Sequence, residues 1–398
     1  MNRLIYLLVT VICMATVCHL DFLHAGTAVS TRLDIKDFSK VCRNGARIIH
    51  LPSGIYDVSK TLALPSNTVL EGEGSRTILR VVSSFSGSRF ITNTDFRDGN
   101  ANITVRSLKV EFNLPILKGD APGVLRFENV KNLLIEDLTM EIDTDFYGID
   151  LSANIRSSSV QRCKISNKGN GGGIMVRNRN DLPNKASDDI TVRLNTLLSS
   201  NDEPLAVFGW LGMVRRVLIE KNHVLAYGAA FGIAVYGIDQ PGHTGRITDV
   251  SVIDNTVKGG RLGGIAVKGG ARRVSLSNNI IEGQYADGLF LHRGGNLLPI
   301  VQEIRIHKNI ISNARRHCIF ASGNDIVVEN NKMNDCGECG IFIAGKVLAV
   351  DNVITNAKPG ILVTGDSPKK IRGNILNKAH GIRVLNNDFS GIEENIIR

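Results

Sequence analysis

The chain has 398 residues, of which 43% are hydrophobic and 5% aromatic, and it contains 40 glycines. This apolar content excludes a disordered chain, and many glycines with few aromatic residues favour short aliphatic strands and tight turns over a helical enzyme. The 47 Lys and Arg residues outnumber the 38 Asp and Glu residues. A basic surface favours an anionic partner, which leaves nucleic acid, a membrane surface or an acidic polysaccharide.

Residues 1–28 have the pattern of a secretory signal peptide. Arg3 is followed by an uncharged, mostly apolar run from Leu4 to Cys18, and then by the small residues Ala25 and Ala28. The run is short for a membrane span, and no later stretch is suited to one. We therefore expect export to the periplasm or out of the cell. Export disfavours nucleic acid and leaves an acidic polysaccharide as the expected partner, whereas the oligomeric state is not indicated.

The cysteines after the signal peptide do not form an evident framework. They are odd in number, and Cys336 and Cys339 have C-x-x-C spacing without a second pair that would complete a zinc site. The spacing favours a local disulfide, a disulfide that includes Cys318 of the neighbouring repeat, or buried thiols over a redox or metal role.

A short alternating strand that ends in Asn recurs along the chain. The repeated asparagines are Asn195, Asn222, Asn255, Asn279, Asn309, Asn331, Asn352, Asn374 and Asn395. Cys163 and Asp137 are assigned to the equivalent place in two earlier copies. From Asn309 onward the intervals are 22, 21, 22 and 21 residues. Such a repeat predicts a solenoid, and we expect the asparagine side chains to form an internal structural ladder.

Each copy holds a second short strand that begins near Gly-Ile. Examples are the segments Gly232-Ile233-Ala234-Val235 and Gly264-Ile265-Ala266-Val267. Such short strands cannot bury a face alone, but coils stacked as parallel sheets can. The sequence therefore predicts an all-β solenoid with coils of 21–22 residues.

These repeats resemble the right-handed parallel β-helix proteins of the pectate-lyase-like superfamily. The opening segments Leu51–Val58 and Leu62–Gly74 resemble the first coils of such proteins, and the resemblance covers residues 31–398. It implies one domain, residues 29–398, although lyases, hydrolases and phage tailspikes share the solenoid. The apolar spacing in Leu33–Cys42 predicts a short amphipathic helix that caps the open end.

Insertions after the Gly-Ile strands lengthen the coils between Cys163 and Asn309, and we expect them to stack into a wall beside a binding groove. Strand alternation predicts two outward-facing columns beside that wall. The first column is Met175, Ala206, Ala234, Ala266 and Phe290. The second is Arg177, Phe208, Tyr236, Lys268 and His292. The first has small residues in its middle, which leaves room for a polymer, and the second suits sugar stacking and carboxylate binding.

The candidate residues lie on these columns, at the starts of their strands and in the wall. The candidate substrate-binding residues are Arg177, Phe208, Trp210, Tyr236, Asp239, His243 and Arg293. The candidate catalytic residues are Lys268, His292, Asp202, Glu203 and Asp287.

Lytic β-elimination fits these residues best. The reaction needs a base for the C5 proton and positive charge beside the uronate carboxylate. A Lys268–His292 pair on neighbouring coils fits, because a nearby cation lowers the pKa of a lysine, and Arg177 or Arg293 would bind the carboxylate. Asp202, Glu203 and Asp287 would position these cations or hold Ca²⁺, the one cofactor that their oxygen atoms suit.

Three alternatives stay open. A glycoside hydrolase needs two carboxylates about 5–10 Å apart. Glu203 and Asp287, three coils apart, are separated by roughly 14 Å, but Asp239 would lie nearer to Asp202. A uronate C5-epimerase begins with the same proton abstraction, although the Asp-Pro-His-Asp motif of mannuronan epimerases is absent. A non-catalytic protein for polysaccharide binding or exopolysaccharide assembly would use the same surface.

Overall fold

The computed structural model describes residues 31–32, 39–41, 45–114, 123–179, 185–237, 245–293, 299–364, 369–385 and 391–398. This part of the chain consists of strands and turns and contains no helix. None of the described residues belongs to a helix suited to crossing a membrane. The expected signal peptide at 1–28 lies outside the described residues.

The strands stack into three parallel sheets, which the chain visits in the same order in every coil. The first sheet contains Arg47–His50, Val130–Glu136, Arg156–Gln161, Ser187–Arg193, Met213–Glu220, Arg246–Ile253, Arg272–Ser277, Gln302–His307, Lys369–Arg372 and Ile392–Glu393. The second sheet contains Thr31–Arg32, Gly54–Val58, Thr139–Ile142, Lys164–Asn167, Thr196–Ser199, His223–Ala226, Thr256–Gly259, Ile280–Glu282, Ile310–Ser312, Lys332–Asn334, Val353–Ala357, Ile375–Ala379 and Ile396–Ile397.

The third sheet is built from the Gly-Ile strands. It contains Leu62–Leu64, Ile91–Asn93, Gly123–Glu128, Tyr147–Ala153, Ile174–Arg177, Leu205–Phe208, Phe231–Tyr236, Gly263–Lys268, Asp287–His292, Ile361–Thr364 and Ile382–Val384. Four long strands turn a corner between sheets. Thr68–Val81 and Asn100–Phe112 pass from the first sheet to the second, and Ile319–Glu329 and Ile341–Val350 pass from the third to the first.

The described part of the N-terminus does not form the predicted capping helix. Ser39–Val41 is a strand that pairs antiparallel with Arg47–His50, and residues 33–38 and 42–44 lie outside the described residues. Strand pairing gives the backbone groups at the open edge of the first sheet hydrogen-bond partners. The apolar spacing alone did not distinguish this strand from a helix.

Aliphatic columns fill the interior of the solenoid. Ile233, Ile265 and Leu289 are direct partners on successive strands of the third sheet, and all three are fully buried. Burial of one such side chain contributes roughly 1.5–3 kcal/mol, and stacking repeats this contribution in every coil. The alternation of core and outer residues along these short strands therefore produces one continuous core.

The predicted asparagine ladder is confirmed. The backbone N–H and the side-chain amide of Asn279 both donate hydrogen bonds to Oδ1 of Asn309, over 3.0 and 2.9 Å. The same amide donates to the carbonyl oxygen of Val252 on the other side, over 2.8 Å. This pattern is repeated from Asn195 to Asn395, so that each coil is joined to both of its neighbours.

Of the two earlier copies of the repeat, one has the predicted residue at the ladder position and the other does not. Cys163 occupies the ladder position, since its backbone N–H donates to Oδ1 of Asn195. Asp137 does not, because it has a φ of 55° and corresponds to the left-handed residue that precedes each ladder asparagine, such as Leu194 with a φ of 57°. The ladder position in that coil belongs to Leu138, so the prediction for Asp137 was wrong by one residue.

A disulfide joins neighbouring coils between Cys318 and Cys336. Cys163 and Cys339 are buried free thiols. Of the alternatives for the C-x-x-C segment, the structure therefore has the bond that includes Cys318.

Candidate functional site

The outer face of the third sheet carries both predicted columns in the expected register. Ala206, Ala234, Ala266 and Phe290 are partners on successive strands, with Met175 before them. The second column follows the same register and contains Arg177, Phe208, Tyr236, Lys268 and His292. Period-two alternation in short strands was sufficient to predict this placement.

The first column does not form the open floor that its small residues suggested. Ala206, Ala234 and Ala266 are fully covered, because they belong to a second apolar cluster outside the main core. Tyr147 and Phe231 supply rings to this cluster. Side chains of the protein itself thus fill the space beside the alanines, and the described part of this face is a flat platform. The predicted wall includes residues 180–184, 238–244 and 294–298, which lie outside the described residues.

Aromatic rings run along this platform from coil to coil. Successive ring centroids are separated by 4.6–6.2 Å. We name this set the aromatic strip, and its members are Trp210, Phe208, Tyr236, Phe231, Phe290, Phe320 and Phe342. The candidate lists omitted Phe290, which was placed in the first column, and also Phe231, Phe320 and Phe342. The last two occupy the first-column position of their own coils, and a full alignment of the Gly-Ile strands would have found them.

A carboxyl pair lies at one edge of the strip. Asp202 and Glu203 are adjacent, and burial, followed by the interaction with the Asp202 side chain, raises the pKa of Glu203 to about 8. The hydroxyl of Tyr236 donates to Oε1 of Glu203 over 3.3 Å. Burial, followed by the charges of Asp202 and Glu203, raises the pKa of Tyr147 well above its usual value. The two carboxyls thus hold a proton at a pH where isolated carboxyls are ionised.

Lys268 and His292 are neighbours, as the sequence predicted. They are direct partners on adjacent strands. The Lys268 ammonium lies 4.0 Å from the centroid of the Tyr236 ring, and the His292 ring lies beside those of Phe290 and Phe320, with centroid distances of 5.7 and 5.9 Å. Burial, followed by the charges of Arg293 and Lys268, lowers the pKa of His292 below 6.5. Its imidazole is therefore neutral at neutral pH.

Arg177 lies in a buried ion cluster. Its exposed fraction is 3%, and it forms two hydrogen bonds of 3.0 and 2.8 Å to Asp150, which is fully buried. Arg126 lies on the other side of Asp150, with 3.6 Å between Nε and Oδ2. The candidate list omitted Asp150 and Arg126, although both occupy the first-column position of their strands. A charge at a position that is apolar in later coils was the available signal.

Asp287 does not join the Asp202–Glu203 pair. Its strand is the third after the one that follows Glu203, its exposed fraction is 1%, and it accepts a hydrogen bond from the backbone N–H of His317 over 3.2 Å. Burial raises its pKa to about 6. The described residues contain no group of three or more His, Cys, Asp or Glu side chains suited to a metal ion. The three proposed calcium ligands are therefore not gathered at one point.

The remaining candidates are placed as follows. Phe208 and Trp210 are half-buried members of the aromatic strip, and Arg293 directly follows the strand that ends at His292. Asp239 and His243 lie outside the described residues, so their roles stay predictions.

The family of right handed beta helix regions matches residues 231–397. Its description agrees with the three parallel sheets, and the chain is a right-handed parallel β-helix. The preneck appendage protein of Bacillus phage PZA is 30% identical over 128 residues, which are 30% of this chain and 15% of the phage protein. The chain thus matches only a small share of that relative's length.

Two solved structures are similar over most of their length. The surface adhesin PfbA of Streptococcus pneumoniae aligns with a TM-score of 0.58 and 14% identity, over 85% of this chain and 85% of the adhesin. The A-module of the Azotobacter vinelandii mannuronan C-5 epimerase AlgE6 aligns with a TM-score of 0.53 and 15% identity, over 89% and 91% of the two chains. At these identities the similarity shows the fold alone.

Proposed function

We propose that the protein is an exported polysaccharide lyase that cleaves an acidic, uronate-containing polysaccharide by β-elimination. The observation that carries this proposal is the environment of His292. A neutral imidazole lies beside Lys268 and Arg293 on a platform of aromatic rings. Proton abstraction next to a carboxylate needs this combination of an unprotonated base and positive charge.

His292 acts as the base in this proposal. It takes the C5 proton, the electron pair of the C5–H bond becomes the C4–C5 double bond, and the bond from C4 to the glycosidic oxygen breaks. Lys268 and Arg293 hold the uronate carboxylate and stabilise the negative charge that develops on it. The lowered pKa of His292 keeps the base unprotonated in the presence of these cations.

The carboxyl pair supplies the proton for the leaving oxygen. Glu203 retains a proton because of burial and Asp202, and the hydroxyl of Tyr236 links it to the platform. A proton passes from Tyr236 to the leaving oxygen, and Glu203 replaces it. The Lys268 ammonium above the Tyr236 ring stabilises the tyrosine oxygen during this transfer.

The carboxyl pair does not suit glycoside hydrolysis. Retaining enzymes separate their two carboxyls by about 5–5.5 Å and inverting enzymes by about 6.5–9.5 Å. Asp202 and Glu203 are instead adjacent in the chain, and Asp202 raises the pKa of Glu203. This interaction favours one shared proton over two independent catalytic groups.

The second candidate function is polysaccharide binding without catalysis. The covered alanine column favours it, because the described residues of this face form a flat platform and not the deep groove in which enzymes exclude water. Flat aromatic surfaces bind sugars by stacking, and such binding does not require catalytic residues.

The test is ultraviolet absorbance of the purified protein with a panel of acidic polysaccharides, with and without Ca²⁺. A lyase produces a rising absorbance from the new C4–C5 double bond. New reducing ends without that absorbance would replace the proposal with hydrolysis. Altered uronate configuration without chain cleavage would replace it with epimerisation, and binding without any of these changes would leave the binding function.

A further inference from the structure

A second charged site lies around Arg179 and Trp210, which follow strands that are four and three strands from the strand of His292. Trp210 is the single tryptophan of the chain. Its ring lies under two guanidinium groups, with the Arg177 carbon at 5.2 Å and the Arg179 carbon at 5.5 Å from the ring centroid. Arg177 is buried, whereas Arg179 and Trp210 are half-exposed. The site therefore has a fixed inner cation and an outer cation and ring that a ligand can reach.

The backbone holds Trp210 in an unusual conformation. Its φ is 29°, on the positive side that bulky residues rarely adopt. The carbonyl oxygen of the buried residue Asn178 accepts hydrogen bonds from the N–H groups of Leu211 and Gly212, over 3.2 and 3.1 Å. The Asn178 amide also donates to the carbonyl oxygen of Met213 over 3.1 Å. Strained residues that the surroundings fix in this way are concentrated at functional sites.

Positive charge is in excess in the ion cluster next to the ring. Within the described residues of this cluster, three arginines accompany two carboxylates; the members are Arg126, Arg177, Arg179, Glu128 and Asp150. Burial, followed by the charges of Arg177 and Arg126, lowers the pKa of Arg179. An anion placed beside Arg179 would relieve this repulsion.

We propose that Arg179 and Trp210 form a remote subsite that binds a carboxylate-bearing sugar unit, with Arg177 as the residue that positions both. Arg179 holds the carboxylate and the indole face stacks on the sugar ring. The subsite rests on the proposed function for the identity of the polymer and adds that the substrate is charged far from the cleaved bond. Three to four strand spacings separate it from His292, roughly 14–19 Å, so only a long oligosaccharide reaches both.

The test uses the fluorescence of Trp210 in the full-length His292→Gln protein, which removes turnover. A hexasaccharide of galacturonate and one of mannuronate are titrated against a neutral hexasaccharide and a sulfated one that lacks carboxylates. We expect saturable fluorescence changes with at least one uronate hexasaccharide and none with the neutral one. Arg179→Ala raises the dissociation constant about tenfold or more, because a charge-assisted hydrogen bond is lost.

Arg76→Ala is the matched control, since this arginine is 74% exposed at a distant coil, and it should leave the titration unchanged. Circular dichroism checks that the variants are folded. Equal affinity of Arg179→Ala and its parent, an equal response to the neutral sugar, or no response to either uronate would overturn the subsite. An equal response to the sulfated sugar would contradict the carboxylate assignment.

Failure of the subsite and failure of the proposed function are distinguishable. Lysis of a uronate polymer by a protein whose Trp210 fluorescence does not respond removes the subsite and leaves the lyase. A fluorescence response without lysis removes the lyase and leaves the subsite. In a lyase, Arg179→Ala should raise KM and change kcat little, because the residue binds substrate away from the reacting atoms.

Discussion

The asparagine ladder and the outer face of the third sheet are built from the same coils, but their residues vary to different extents. In the ladder, nine asparagines repeat one set of hydrogen bonds from Asn195 to Asn395. On the outer face of the third sheet, the first column changes from Arg126 and Asp150 to alanines and then to Phe290. A position that must match its neighbours in every coil is held constant by packing. A position on the outer face of the sheet is free to differ from coil to coil, even where other side chains of the protein cover it.

This difference in variability distinguishes the polar groups that stabilise the fold from the polar groups that we expect to act on a ligand. The ladder amides are buried and fully paired with one another, which makes them costly to replace and chemically inert. The polar groups of the third sheet have perturbed pKa values at Glu203 and His292. Ionisable groups with shifted pKa values beside a surface that a polymer can reach are expected at a functional site.

The largest expected effect is on turnover. His292→Gln should lower kcat at least about a hundredfold, because a general base contributes that much, while affinity for the polymer changes little. In the unaltered protein, activity should fall toward acid pH only below 6.5, since the base must be neutral and its pKa is lowered. Initial rates of ultraviolet absorbance across pH provide both measurements.

The control for this change is His223→Gln, which replaces a half-exposed histidine on the second sheet and should leave kcat unchanged. A kcat that survives in His292→Gln, or an equal loss in both variants, would contradict the role of His292.

The next largest effect is on the stability that the asparagine ladder provides. Asn309→Leu removes the acceptor of the Asn279 amide and backbone N–H, and the donor to the carbonyl oxygen of Leu276. The buried groups left unpaired should lower the free energy of unfolding by about 3 kcal/mol or more. Urea denaturation measures it. Asn334→Leu, at an exposed position of the second sheet, should change stability by less than about 0.5 kcal/mol, and similar losses in both would contradict the ladder's importance.

A smaller effect distinguishes Asp287 from the carboxyl pair. Its pKa of about 6 in the folded protein lies above the ordinary 3.8, so the stability that its proton provides is present below pH 3.8 and lost as pH rises through 6. Asp287→Asn should therefore stabilise the protein at pH 8 by roughly 1–3 kcal/mol, with no gain near pH 3, and leave kcat within a few-fold. Thermal unfolding at the two pH values measures the difference.

Asp325→Asn is the control, because Asp325 is 53% exposed in its ion pair with Lys346. Arg316 Nη1 lies 3.7 Å from Asp287 Oδ2, and a less stable Asp287→Asn protein at pH 8 would mean that this ion pair outweighs the burial of the charge.

The repeat made the fold predictable from the sequence. The spacing of Asn309, Asn331 and Asn352 shows the coil length directly, and alternation in Ile233–Tyr236 assigns each side chain to the core or to the outer face. The N-terminus was less predictable, because Ser39–Val41 gains its strand from pairing with Arg47–His50 and not from its own pattern.

The sequence was sufficient to predict which residues of the site are neighbours on adjacent strands, but not which of them other side chains cover. The neighbours Lys268 and His292 follow from coil alignment. The covering of Ala234 by rings from other strands, and the pairing of Arg177 with Asp150, depend on side-chain packing between coils. Sequence alternation assigns a residue to the outer face but does not say whether another side chain lies over it.

The most direct test of this account is a crystal structure of the His292→Gln protein with the uronate hexasaccharide that it binds most tightly. The account predicts sugar units along the aromatic strip between Trp210 and position 292, with one carboxylate beside Lys268 and another beside Arg179. A hexasaccharide bound to the first or second sheet, or beside the asparagine ladder, would contradict this prediction.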